Sequence, residues 1–381
     1  MSAPGSWIEV DRTSLSDNVA ALRSLVGPAV RILVPVKADG YGHGAFETAQ
    51  TVLHAGADRV GVARIHEGVA LRTQGLSGDI HVLEPYHPAD IREYLDHDLI
   101  ATVCDAEAAK HLAAHASGRI RAHLKVNTGM SRLGLHAQRD RDVLRSILTL
   151  PGVDWEGVFT HFAKADEPGT STDTQIERFD DLLAWLGDLG LRPAIAHASN
   201  SAGALYHPRA RYQMVRPGLA TYGYDPSSDL ARHGVPLRPA LSLWSTVRQL
   251  SWIEPGEEVS YGGLWTAPRR SRIAVLPLGY GDGFWRCHSG RFEVEIRGRR
   301  VPQVGRICMD LLMVDVTDLP EVALDDRVCV IGPGLSAERL AQAAGTIVYE
   351  ILCDLGRRLE RHFVGDPRPV GRAAAPARNV D

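Results

Sequence analysis

Lysine is scarce in this chain. Only Lys37, Lys110, Lys125 and Lys164 occur, and the other 38 of its 42 basic residues are arginine. Arginine cannot form a Schiff base or give up its proton at neutral pH, so a lysine kept among so many arginines draws attention to its amine. Lys37 follows an apolar run in VPVKADGYGHG and precedes Gly40, Tyr41 and Gly42. At the edge of a strand core its amine could be desolvated into a nucleophile; the plainer reading is a strand-end lysine facing water. KVNTGMSRLG carries Lys125 and Arg132. Arg132 could hold a carboxylate bidentately or simply sit on the surface at a helix start. THFAKAD brings His161, which could equally be a satisfied core histidine; HASNSAG brings His197, Asn200 and Ser201; VRPGLATYGY brings Arg216 and Gly218. Ser201 would open a helix, where backbone N–H groups and a hydroxyl suit a phosphate. Each signal alone is weak. Together they point to a phosphate-bearing ligand with a lysine beside it.

These residues fall at the ends of short β-branched runs. Strands are expected near 31–37, 59–63, 79–84, 100–104, 121–127, 153–161, 194–198 and 213–217. Segments of helical periodicity lie between them, as at 44–55, 105–115 and 173–188. Strands alternating with helices imply parallel pairing, and eight such units make a (β/α)8 TIM-type barrel, whose chemistry collects at the C-terminal strand ends. The loops after strands seven and eight are that barrel's usual phosphate site. Near 236 the pattern changes to strands joined by Gly, Pro and Asp turns, the mark of a C-terminal, mainly antiparallel β domain, with a helical stretch over 336–363. The expected domains are 1–235, a barrel; 236–370, a β domain; and 371–381, a disordered tail.

Composition narrows the classes. The 381 residues carry 42 Lys+Arg against 46 Asp+Glu, which gives no electrostatic reason to expect nucleic acid or a membrane surface as partner. Five cysteines without C-x-x-C spacing argue against a disulfide scaffold or a zinc finger, and no metal site is expected. The start has no signal-peptide pattern and no run of about 18 apolar residues occurs, so a cytoplasmic protein is expected.

VPVKADGYGHG, KVNTGMSRLG, THFAKAD, HASNSAG, VRPGLATYGYDP, VSYGGLW, PLGYGDGFWR and GRICMDLLMVDV resemble, in order and over roughly residues 5–365, the segments of the alanine racemase family, the fold-type III enzymes that use pyridoxal 5′-phosphate (PLP). The resemblance implies that Lys37 carries the cofactor. Lys37 and Tyr261 would be the two acid/base residues on opposite faces of it. Tyr41, Ser201, Gly218, Leu219 and Tyr349 would surround the phosphate. Arg216 would bond the pyridine nitrogen, backed by His197, with His161 near the ring face. Arg132 and the backbone N–H of Met309 would receive the substrate carboxylate. Lys125 matches a position that is often carbamylated. Asp166, Tyr280, Arg286 and Arg306 would line the entry corridor. The family is a head-to-tail homodimer, so Tyr261, Tyr280 and Met309 would come from the partner subunit. Asn127, Ser131, Gly263-Leu264 and Glu360 depart from the family pattern and leave the catalytic pair intact.

The implied activity is PLP-dependent racemisation of a small amino acid, L-alanine to D-alanine, as in D-alanine supply for peptidoglycan precursors. Inversion needs one base to remove the α-proton and a different acid, on the other face, to return one. An arginine at the pyridine nitrogen keeps that ring unprotonated, which would suppress side reactions such as transamination. Alternatives from the same chemistry are racemisation of serine or a nonproteinogenic amino acid. A non-catalytic PLP-binding barrel would lack the 145 or so residues after the barrel, which bring Tyr261 and Met309. A fold-type III decarboxylase would carry C-terminal Cys and Asp motifs that this sequence lacks.

Overall fold

The computed structural model describes residues 5–118, 120–227, 234–356 and 358–369; the segment 371–381, expected as a tail, lies outside them. Two compact units emerge, one around each of two nine-stranded sheets.

The first unit is a closed parallel barrel. Its strands, in order, are Arg31–Pro35, Arg59–Val62, Asp79–Pro85, Leu99–Val103, Arg121–Asn127, Asp154–Phe159, Ile195–His197 and Met214–Val215. Each pairs in parallel with the next, and the eighth closes on the first through Met214↔Arg31 and Val215↔Ile32. The barrel expected from the alternation is therefore present, with each strand within a few residues of its expected place. Parallel neighbours need a crossover, and helices such as Ala45–His54, Ala106–Ala116 and Ser171–Asp188 supply it. Their starts follow local chemistry. The Asp105 carboxylate accepts from the Ala108 N–H (2.8 Å) and Asn200 from the Gly203 N–H (2.9 Å), satisfying donors that a helix leaves over. Apolar strand and helix faces meet in one continuous core, including Val34, Val60, Ile80, Leu112 and Phe179.

The second unit is built on a sheet ordered Gln249–Ile253, Ser271–Leu276, Leu312–Asp315, Arg299–Val304, Glu293–Ile296, Arg327–Ile331, Leu241–Thr246, Ser6–Asp11 and Glu360–Val364. All neighbours are antiparallel except the last pair, which is parallel, with Ile8 opposite Arg361. Two features differ from the sequence expectation. The helical stretch expected over 336–363 is two helices, Ala337–Ala344 and Val348–Asp354, followed by the strand Glu360–Val364. That strand gains its hydrogen bonds from residues about 350 positions away, a pairing to which no local period points. Ser6–Asp11, placed with the barrel by a division at 235, pairs instead with Leu241–Thr246 in this sheet, and the unit also takes in Tyr41–Gly44. Among the described residues no helix is long and apolar enough to cross a membrane.

Candidate active site

Lys37 stands where the first barrel strand ends. Ala38, Asp39, Gly40 and Tyr41 then run through the left-handed region, with φ of 51°, 53°, 63° and 52°. Three of the four carry a Cβ, which costs about 1–2 kcal/mol each in this region. Side chains and backbone hold the turn. Glu67 accepts from the Ala38 N–H (2.8 Å), Asp39 from the Ala45 N–H (3.0 Å), and the Gly40 N–H reaches the Val36 carbonyl (2.8 Å). Strain maintained by so many contacts marks a backbone shaped for a purpose other than stability.

Across the barrel mouth the eighth strand ends in Arg216, whose guanidinium is almost wholly buried. Its Nη1 donates to His197 Nδ1 (2.6 Å). Its Nη2 donates to the carbonyls of Thr160 (2.9 Å) and Ala198 (2.8 Å) and to His161 Nδ1 (3.2 Å). Neither the Nε–H nor the second Nη1 N–H makes a hydrogen bond to the described residues, so donors of a fixed cation are left for a ligand atom. Burial, then the charge of Arg132, pushes the Arg216 pKa down to about 9. The His197 ring is sandwiched against Phe159, with centroids 4.5 Å apart and planes 6° apart.

Lys125 lies in the fifth strand's buried run, its amine 4.4 Å from the Phe159 ring centroid and without a hydrogen-bond partner among the described residues. Burial, then the Arg216 charge, holds its pKa well below the usual lysine range; the nearby Cys104 opposes this and Arg132 adds to it. The imidazole of His161 is likewise held well below its usual value by burial and by the charges of Arg216, Lys125, Arg132 and Lys37. The structure thus gathers Lys37, Lys125, Arg132, His161, His197 and Arg216 at one end of the barrel. Ser201 begins the helix Ser201–Tyr206, and Gly218 and Leu219 begin Gly218–Thr221. The two starts are tied by the Ala220 N–H donating to Ser201 Oγ (3.1 Å). Asp166 is exposed in the loop after strand six, its carbonyl accepting from the Ser227 hydroxyl (2.6 Å).

In the sheet unit, Tyr41 and Tyr349 pack ring to ring at 5.8 Å, and burial, then Tyr349, raises the Tyr41 phenol above its ordinary range. Tyr261 sits on a tight turn between Glu258–Val259 and Trp265–Thr266 and is 71% exposed. Gly263, at φ 55°, takes a backbone conformation there that L side chains rarely adopt. The Ser260 hydroxyl ties this turn to the Arg306 carbonyl (2.8 Å). The loops bearing Tyr280 and Met309 are joined by Tyr280 N–H to Cys308 O (3.1 Å) and Gly281 N–H to Met309 O (2.8 Å). Arg358 bridges Asp282 (3.2 Å) and Asp310 (2.7 Å). Arg286 is exposed on the short helix Arg286–His288.

The comparisons with known proteins agree with this arrangement. Residues 10–226 match the family described as alanine racemase, N-terminal domain, and residues 240–363 the one described as alanine racemase, C-terminal domain. This chain belongs to the alanine racemase family. It is 43% identical to the alanine racemase of Symbiobacterium thermophilum, over 95% of this chain and 97% of that one. The protein of that name from Desulfosudis oleivorans is 40% identical over 94% and 96%. Among solved structures, alanine racemase from Clostridium difficile superposes with a TM-score of 0.91 at 34% identity, covering 96% and 97% of the two chains. The enzyme from D-cycloserine-producing Streptomyces lavendulae gives 0.89 at 33%, covering 96% and 98%. The protein is therefore a racemase, an isomerase. The family works with PLP, and the residues present fit that group: a lysine at a strand end, a buried arginine with its Nε–H uncommitted, and two helix starts joined at Ser201.

Sequence reading missed a set of polar residues deeper in the barrel: Arg59, His81, His123 and Glu156. Arg59 opens one barrel strand and Glu156 lies within another, and a charge turned into a barrel implies an opposite charge beside it. That signal was available in RVGV and DWEGVF.

Proposed function

We propose that this protein interconverts L- and D-alanine with PLP by a two-base mechanism, working as a head-to-tail homodimer. The observation that carries the reading is Arg216: a buried guanidinium held by the protein through both Nη atoms, with its Nε–H left over, in the same barrel end as Lys37. When bound, PLP makes the α-C–H of an amino acid acidic by accepting its electrons. The chain's own residues do the rest. Lys37 would hold the cofactor and would move a proton at one face of the substrate. Tyr261 of the partner subunit moves a proton at the other face. Arg216 would offer its Nε–H to the pyridine nitrogen and keeps its own proton at neutral pH, which would leave that ring unprotonated. Ser201, Gly218 and Leu219, with Tyr41 and Tyr349, take the phosphate. Arg132 and the Met309 N–H of the partner subunit take the substrate carboxylate, with Asp166, Tyr280, Arg286 and Arg306 along the entry.

Lys125 lies among the positive charges of Arg132 and Arg216. Carbamylation by CO₂ would turn it into an anion able to accept from Arg132 in a charge-assisted hydrogen bond. The exposure of Tyr261, Tyr280 and Met309 supports the dimer, because a proton-transfer residue works best where water is excluded.

The test is a racemisation screen of the purified protein against the twenty L-amino acids, read by chiral chromatography. Alanine is expected to show the highest kcat/KM. Faster turnover of serine would move the substrate assignment, and no racemisation of any amino acid would contradict the proposal.

A further inference from the structure

Arg216 is one end of a longer chain of hydrogen bonds. His197 Nε2 lies 2.8 Å from His123 Nδ1, and His123 Nε2 lies 3.0 Å from Glu156 Oε2. Glu156 in turn accepts from both Nη atoms of Arg59, at 3.0 and 3.1 Å. His123, His197 and Arg59 are almost fully buried.

The ends of this chain fix the position of every hydrogen in it. A guanidinium only donates, so His197 Nδ1 must accept from Arg216. His197 then carries its proton on Nε2 and donates it to His123 Nδ1. His123 carries its own proton on Nε2 and donates it to Glu156, which as a carboxylate only accepts. Arg59 Nη1 also approaches His123 Nε2, but at 3.5 Å, and the opposite arrangement would set a lone pair against the carboxylate at 3.0 Å. Both rings are thereby neutral and of one tautomer. Burial is the largest cause depressing both imidazoles, which agrees with this state.

The arrangement is built rather than incidental. Gly157 leaves room for the His123 ring: a Cβ there would lie 2.3 Å from His123 Nδ1. Phe159 stacks on His197. A barrel interior is ordinarily filled by branched apolar side chains, and a buried polar chain has a desolvation cost that those would avoid. Among the described residues Arg216 also has no carboxylate of its own; its partners are imidazoles and carbonyls. Glu156 is the anion that reaches it, through two aligned imidazole dipoles.

We propose that His123 and Glu156 are positioning residues that, through His197, fix the orientation and keep the charge of Arg216. The inference rests on the reading of Arg216 as the group that meets the cofactor's ring nitrogen. His81, His123 and His197 also offer nitrogens within 4.8 Å of one another, a spacing that could hold a metal ion. The hydrogen-bond chain uses both nitrogens of His123 and His197, and His81 Nε2 is taken by Thr102 Oγ1 (3.0 Å), which leaves only His81 Nδ1 without a partner. A metal would have to break the chain.

The experiment is side-chain ¹⁵N spectroscopy of the full-length, cofactor-loaded protein labelled at histidine, with His123→Phe and Glu156→Gln as comparisons. In the wild type, His123 and His197 should both show protonated Nε2 and bare Nδ1. In His123→Phe, His197 should lose that single tautomer, the cofactor's visible band should shift, and kcat should fall about ten- to a hundredfold with little change in KM, the scale seen when outer partners of a functional histidine are removed. Glu156→Gln, which keeps the side chain's size, should move the same signals in the same direction by less. It carries the test if His123→Phe does not fold. A protonated Nδ1 or an imidazolium at His197 in the wild type would overturn the proposal. So would zinc retained on these rings after dialysis, or variants with wild-type band and kcat. If the protein bound no PLP, the function proposed above would fail, while the spectrum would still report the hydrogen-bond chain.

Discussion

In the barrel unit His197, Arg216 and Lys125 are each at most 5% exposed, whereas in the sheet unit Tyr261 is 71% and Met309 53% exposed. The first set is held by short contacts to other buried groups: Arg216 alone makes four hydrogen bonds. The second set stands on turns whose backbones are tied down while the side chains are presented outward. A cation or imidazole can be held in a defined state by its own barrel, because low-dielectric surroundings strengthen each bond it makes. A phenol left in water is not yet equipped for proton transfer and needs another surface to close over it. The contrast is what the proposed two-chain site would require, with one end prepared in advance and the other completed on association.

Substitutions should separate the two halves. Lys37→Ala should cause the largest loss, at least about a thousandfold in kcat, since on the proposed mechanism it removes both the covalent anchor and one proton carrier. It should also abolish the visible band that borohydride would otherwise fix to Lys37; a coloured, active variant would break the account of the barrel half. Tyr261→Phe should lower kcat by about 10²–10⁴ yet leave the Tm of the protein nearly unchanged, since it removes one hydroxyl and keeps the ring. Mixing inactive Lys37→Ala and Tyr261→Phe chains should restore activity through hybrid dimers with one intact site. A mixture that stays dead despite proven subunit exchange would place both residues in one chain.

Gly157→Ala should act on stability instead. Its Cβ would meet His123 at 2.3 Å and the Ile195 carbonyl at 2.8 Å, between two barrel strands, so a loss of about 1–3 kcal/mol by urea unfolding is expected. A neutral outcome would mean that the ring chain is loosely packed. The smallest effect is a pH dependence. Burial pushes the His123 imidazole down to about 4, against the opposing hydrogen bond to Glu156; His81, His161 and His197 shift in the same direction. These rings are neutral when folded and protonate near 6.5 when unfolded. Their contribution to stability is therefore complete above about 6.5 and is lost as pH falls from there toward 4. Tm should be level between pH 8 and 7 and drop below 6.5; a level Tm down to pH 4.5 would contradict the neutral chain.

The sequence made the barrel half of the site legible because chemistry there coincides with local pattern. Lys37 closes an apolar run, and Ser201 and Gly218 open helices after short strands, so periodicity and residue type point to the same positions. Glu156 and His123 escaped because their meaning depends on which strands become neighbours across the barrel: His123 reaches Glu156 only once strands five and six pair. The strand Glu360–Val364 escaped for a similar reason. Its partner is Ser6–Asp11, at the opposite end of the chain, and its residues read equally well as the last turns of a helix. Tyr261 was legible only through the family motif VSYGG, since a tyrosine on an exposed turn carries no local signal of catalysis.

The central claim is that two residues handle the proton from opposite faces. Its most direct test is deuterium incorporation from heavy water into each enantiomer of alanine, by wild type and by Tyr261→Phe. The account expects the variant to lose exchange from L-alanine far more than from D-alanine, because Lys37 still serves the face that D-alanine presents. Equal loss from both enantiomers would contradict it.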